Sequence, residues 1–199
     1  MRSFRLPPWR LVIFAIGTAG LTACATAPTS TPPSRVFSAT LHLCSGGHID
    51  NAPAANKKKH ILGFSSLTRV SGVTLARAPV QGACLSSGFG PRHNRPGTHA
   101  GVDYSTKRPR AVYAAGDGVI EEMRTVNGYG KMFLIRHNNR VQTRYGHLSS
   151  YASKLHVGHK VRQGDIIGRT GKTGNATGVI LHYEILVRGR ARNPLTVGE

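Results

Sequence analysis

The sequence predicts a mostly β fold, an antiparallel sandwich or barrel-like domain, on three observations. From about residue 66 onward, short runs rich in Val, Ile, Tyr, Phe and Thr recur between glycines. Regular short strands separated by turn signals are the pattern of all-β sandwiches and barrels. No stretch beyond the N-terminal leader keeps a 3.6-residue apolar period over three turns. At 199 residues the chain has room for one such domain together with a leader and a linker.

The leader comes first. Arg2, Arg5 and Arg10 precede an apolar run, residues 11–21. Its 11 residues fall short of the about 20 that a helix needs to cross a hydrocarbon core. The run therefore reads as the apolar region of a signal peptide over residues 1–23, and an export signal is removed in the mature protein. Leu21-Thr-Ala-Cys24 follows and resembles a bacterial lipobox, which implies cleavage before Cys24 and acylation of that cysteine. Several acyl chains hold a soluble domain at a membrane surface far better than one.

Charge is the second constraint. The formal net charge is +19, and removal of residues 1–23 would take three arginines and no acid with it, leaving +16. Such a field attracts polyanions. An exported chain does not meet nucleic acid, so the expected partners are anionic polymers and lipid head groups of the cell envelope. If Cys24 is acylated, Cys44 and Cys84 remain. In an oxidising compartment they are a candidate disulfide, and the alternative is two small buried apolar side chains.

Residues 24–65 read as tether and N-terminal extension. The Thr, Ala, Pro and Ser of 25–34 cannot bury a core, and 35–65 mixes an apolar run with a Gly, Asn, Pro and Lys-rich loop. The domain proper is expected over 66–199, with strands at 67–70, 72–75, 111–114, 118–120, 131–136, 140–145, 166–167 and 180–187. Residues 150–155 form the one helical candidate. On the last strand, side chains two apart share a face. Ile180, His182 and Glu184 then point one way and Leu181, Tyr183 and Ile185 the other.

Two segments carry the chemistry: His99-Ala-Gly-Val-Asp103 and Ile180-Leu-His-Tyr-Glu184. Two imidazoles and a carboxylate make the ligand set of a catalytic zinc, which keeps a fourth position open. Tyr145-Gly-His147-Leu-Ser149 adds a further histidine. Gly168-Arg-Thr-Gly171-Lys172-Thr173 is not a phosphate loop, since that motif needs glycine where Ile166 stands.

Residues 79–195 resemble the lysostaphin-like (LytM-type) zinc endopeptidases that cut peptidoglycan. The likeness runs in order through Ser87-Gly-Phe-Gly-Pro-Arg92, the His99/Asp103 pair, Ala114-Ala-Gly-Asp-Gly-Val119 and Asn127-Gly-Tyr-Gly130. It continues through Ile135-Arg-His137, Tyr145-Gly-His-Leu-Ser149, Val161-Arg-Gln-Gly-Asp-Ile-Ile-Gly168, Thr173-Gly174, Leu181-His-Tyr-Glu184 and Asn193-Pro194. The resemblance implies a single lysostaphin-like β domain with one zinc ion held by His99, Asp103 and His182. It assigns His147 an acid–base role. A second active-site histidine normally begins a His-x-His pair on the last strand, and Ile180 takes that place. His93 and His156 are neighbouring histidines that could fold in instead.

Glu184 is read as a hydrogen-bond partner of a ligand or a salt-bridge former, and Arg92 as a substrate contact or loop cap. His42, His48, His60, His137, His156 and His159 are not read as ligands. The implied activity is zinc-dependent peptidoglycan endopeptidase, attenuated by Ile180. The alternative is an inactive, zinc-retaining wall-binding module or activator, whose partner would be another cell-wall hydrolase or a division protein. The expected location is the periplasmic face of the outer membrane, because Ala25 rather than an acid follows Cys24.

Overall fold

The computed structural model describes residues 36–46, 48–92 and 97–199, and these contain strands and no helix. In chain order they are β1 (His42–Leu43), β2 (Leu67–Val70), β3 (Val73–Ala76), β4 (Cys84–Ser87), β5 (Gly90–Pro91), β6 (Thr98–His99), β7 (Val102–Ser105) and β8 (Ala111–Tyr113). There follow β9 (Gly118–Val126), β10 (Gly130–Arg136), β11 (Val141–Leu148), β12 (Ser150–Tyr151), β13 (Lys160–Val161), β14 (Ile166–Arg169), β15 (Ile180–Val187) and β16 (Arg190–Arg192). The leader over 1–23 and Cys24 lie outside the described residues.

A nine-stranded sheet runs β1-β4-β7-β15-β11-β10-β9-β13, with β16 alongside β15. Every pairing in it is antiparallel except β1 with β4, which is parallel. A three-stranded sheet, β12-β14-β8, shares its core. The pleat explains which residues fill that core. Leu181, Tyr183 and Ile185 of β15 meet Tyr145 of β11 and Phe133 and Ile135 of β10 there, all without exposed surface. Period-2 alternation then sends Ile180, His182 and Glu184 to the opposite face, as the sequence reading requires. Beyond them Leu186 closes that face against Met132 and Leu134.

The helix expected at 150–155 is absent. Ser150 and Tyr151 pair with Arg169 and Gly168, and the Tyr151 ring stands edge-on to Phe133 at 4.9 Å. Six residues are too few to nucleate a helix against these contacts.

The extension is built into the domain from residue 36. Phe37, Leu41 and Ile61 are buried in the main core, and β1 adds a strand beside β4. Cys44 and Cys84 are joined by a disulfide that ties the two.

Candidate metal centre and cleft

Strands β7 and β15 place Asp103 directly opposite His182, and β6 brings His99 alongside. The His182 Nδ1 lies 2.8 Å from Asp103 Oδ1 and 3.1 Å from His99 Nε2, which is 3.2 Å from the same Oδ1. Ligands at about 2.1 Å around a tetrahedral zinc would sit about 3.4 Å apart. The three atoms are thus slightly closer than a bound ion would hold them, and all converge on one centre. The residues fit a divalent metal.

Each ligand is aimed from behind. His99 donates through Nδ1 to the Gly88 carbonyl at 2.7 Å, which reserves Nε2 for the centre. His182 donates through Nε2 to Glu184 Oε1 at 3.0 Å, which reserves Nδ1. The Arg92 guanidinium reaches Asp103 Oδ2 at 3.4 Å. Glu184 has no exposed surface and also accepts from Tyr129 at 2.7 Å and from Arg144 at 2.6 Å. Such outer partners set the tautomer and orientation of metal-binding imidazoles.

Burial and hydrogen bonds compete in setting the charges of this cluster. Burial opposes a charge on His182, but its bonds to Asp103 and Glu184 outweigh this and carry its pKa up to about 9. Burial would raise the Asp103 carboxyl, yet the two imidazoles hold it well below the usual range. Burial likewise works against the Glu184 carboxylate, while His182, Tyr129 and Arg144 hold its pKa down.

Local sequence makes this packing feasible. Gly101 lies between two ligands, where a Cβ would come within 2.3 Å of the Tyr183 carbonyl and 2.9 Å of His182 Cε1. Only glycine lets β7 approach so closely.

His147 stands at the end of β11, where the pairing with β10 shifts register between Lys131 and Phe133. Its φ of 62° is in the left-handed region, uncommon for a side chain of this size. Bulges of this kind re-aim a side chain. Its amide donates to the Tyr129 carbonyl at 2.7 Å, and its Nδ1 donates to the Thr173 carbonyl at 2.8 Å. The second ring nitrogen is left for the cleft. Burial is the main cause that lowers the pKa of this ring, which favours its neutral form.

The centre lies in an open cleft of about 570 Å³ that His147 and Ile180 also line. Ile180 is held by backbone bonds with Gly171 and offers no proton. His93 lies outside the described residues. His156 packs on His159 at 5.2 Å and does not line the cleft. His137 is structural, donating through Nδ1 to the Asp117 carbonyl at 2.7 Å.

Sequence reasoning gave no role to four contributors. Arg144 and Tyr129 complete the Glu184 cage, and although Tyr129 lies in the Asn127-Gly-Tyr-Gly130 segment, nothing local ties either residue to Glu184. His48 and Asp50, whose imidazole and carboxylate approach to 3.4 Å, supply a cleft wall from the extension. That wall is fixed by Gly88, whose amide donates to the Asp50 carbonyl at 2.8 Å, and by Asn51, which donates to the Pro91 carbonyl at 2.6 Å.

Comparison with known proteins is consistent with this geometry. Residues 97–194 match the family described as peptidase family M23. The chain is 41% identical over 126 residues to the peptidoglycan DD-endopeptidase ShyC of Vibrio cholerae, covering 61% of this chain and 29% of that protein. The crystal structure of a zinc-containing peptidase from Vibrio cholerae aligns with a TM-score of 0.58 at 29% identity, over 69% of this chain and 48% of that one. The catalytic domain of the antimicrobial peptidase lysostaphin from Staphylococcus simulans aligns at 0.51 and 31% identity, over 56% of this chain and 89% of that one. The match spans about a third or less of the curated relatives' own length.

Proposed function

We propose that this chain, which carries a domain of peptidase family M23 over residues 97–194, is a zinc-dependent endopeptidase acting on the peptides of peptidoglycan. One observation carries the reading: three metal-competent atoms meet at one point of an open cleft, each oriented by a partner behind it. The activity in the name of the Vibrio cholerae relative supports the substrate class.

His99, Asp103 and His182 would hold the ion, and Glu184 and the Gly88 carbonyl keep the two imidazoles in the right tautomer. Zinc bound there would polarise the scissile carbonyl and acidify a water. His147, neutral and donating through Nδ1 to Thr173, would accept a proton on its other nitrogen and return it to the leaving amine. Ile180 can do neither. Loss of one positioned acid–base group costs roughly 10²–10⁴-fold in rate. The activity is therefore attenuated.

Ile180 also favours a second reading, a zinc-retaining module that binds the wall or activates another cell-wall hydrolase, with a division protein as a further partner. The lipobox supports an exported chain acylated at Cys24, anchored at the periplasmic face of the outer membrane.

The test is digestion of isolated peptidoglycan by the wild type, Ile180→His and His182→Ala, with bound zinc measured for each. Stoichiometric zinc is expected in the first two and loss of it in His182→Ala. Ile180→His should release roughly tenfold or more product than the wild type. A silent wild type beside an active Ile180→His would select the module reading.

A further inference from the structure

Beside the three-stranded sheet lies a second cavity, of about 310 Å³, lined by Arg108, Arg110 and Arg169 together with Gln81 and Tyr113. No acidic side chain lines it. Among the described residues none of the three guanidinium groups has an ion pair or a hydrogen bond to the protein. Elsewhere in the chain arginines do find acids, as Arg144 finds Glu184 and Arg124 finds Glu122.

The convergence is built by the backbone. Arg169 of β14 pairs with Ala111 of β8, next to Arg110. The two segments are locked by Thr170, whose amide donates to the Arg110 carbonyl and whose hydroxyl accepts from the Arg110 amide, both at 2.9 Å. The Arg110 guanidinium lies over Gly82, 3.8 Å from where a Cβ would stand. Like charges held side by side repel. A tetrahedral phosphate oxyanion, with its unesterified acceptor oxygens, offsets that repulsion and matches the guanidinium fork.

The location narrows the source. Gln81, on the cavity wall, donates to the Val36 carbonyl at 2.6 Å. The Phe37 ring stands edge-on to Tyr113, also on the wall, at 6.3 Å. The N-terminal segment thus reaches the domain at the cavity rim. Cys24 lies 12 residues before Val36, a span of at most about 40 Å when fully extended. We propose that Arg108, Arg110 and Arg169 form a site for the phosphate of an anionic lipid head group, which orients the domain on the membrane that bears its tether. The lipid source rests on the proposed anchor, and the phosphate site does not depend on the peptidase reading.

The test uses the mature chain, residues 24–199, carrying Cys24→Ser, so that neither leader nor acyl chain contributes in any arm. Its sedimentation with phosphatidylcholine vesicles is compared with and without phosphatidylglycerol. Loss of all three cavity arginines (R108A, R110A, R169A) should weaken phosphatidylglycerol-dependent binding roughly tenfold or more. Removal of the same charge from the exposed Lys57, Lys58 and Lys59, each to Ala, should weaken it less than about threefold. Arg110→Lys, which keeps the charge but not the fork, should give an intermediate loss, and thermal unfolding should be unchanged in all. Inorganic phosphate should compete better than chloride at equal ionic strength. Equal losses in the arginine and lysine variants would overturn the site in favour of diffuse attraction. Phosphate binding without any preference for the anionic vesicle would overturn the lipid source.

Discussion

His182 is held through both ring nitrogens, by Asp103 on the side of the centre and by Glu184 behind it. A metal held there would take Nδ1 without its proton, and the bonds to Asp103 and Glu184 carry the pKa of this ring up to about 9. Below that pH each ion bound displaces a proton from His182, so zinc affinity should fall about tenfold for each unit of acidification. Above about 9 that dependence should flatten. Competition titration with a chelator between pH 6 and about 10 measures both limbs, and an affinity independent of pH below 9 would contradict the assignment. The three side chains that converge on the centre were legible because they sat in a glycine-containing segment and on a strand with clear alternation. Arg144 was not. It becomes important only because β11 lies beside β15 and sets Arg144 opposite Glu184, a pairing that no local pattern encodes.

At the scale of elements, β15 is the central piece. Its alternation was readable, and the two faces carry the residues the pattern required: aromatic and aliphatic core on one, His182 and Glu184 on the other. Its close approach to β7 depends on Gly101. Gly101→Ala would drive a methyl against the Tyr183 carbonyl and the His182 ring. The variant should lose zinc and melt lower by the equivalent of about 1–3 kcal/mol, the scale of an overpacked core position. Zinc content and thermal unfolding read the two effects separately. The helix expected at 150–155 failed for a physical reason. A six-residue segment has no stability of its own, so its conformation follows whichever neighbours offer partners, here Gly168 and Arg169.

The extension matters to the whole molecule because it is more than a linker from residue 36 onward. Its strand lies against β4, its disulfide reaches Cys84, and its His48 and Asp50 form part of the cleft. The bond closes a loop with a sequence separation of 40. By chain entropy such a crosslink is worth about 4 kcal/mol. Replacing both Cys44 and Cys84 by Ala should lower the stability by up to that amount. It should weaken substrate binding more than zinc binding, since the released wall bears no ligand. Calorimetry together with a KM and kcat comparison would check it, and a loss confined to zinc content would refute it.

By itself the sequence determined the β class, the alternation of the last strand, the His99, Asp103 and His182 set and the intrusion of an isoleucine at 180. Those features are local: they rest on periods of two, on glycine at tight approaches and on residue types whose chemistry is narrow. Only the tertiary structure decided that Cys44 meets Cys84, that Arg144 and Tyr129 enclose Glu184, and that three arginines, two just before β8 and one at the end of β14, face one cavity. Each of these joins residues far apart in the chain, and their contact exists only once strand order and register are set by the burial of a common core.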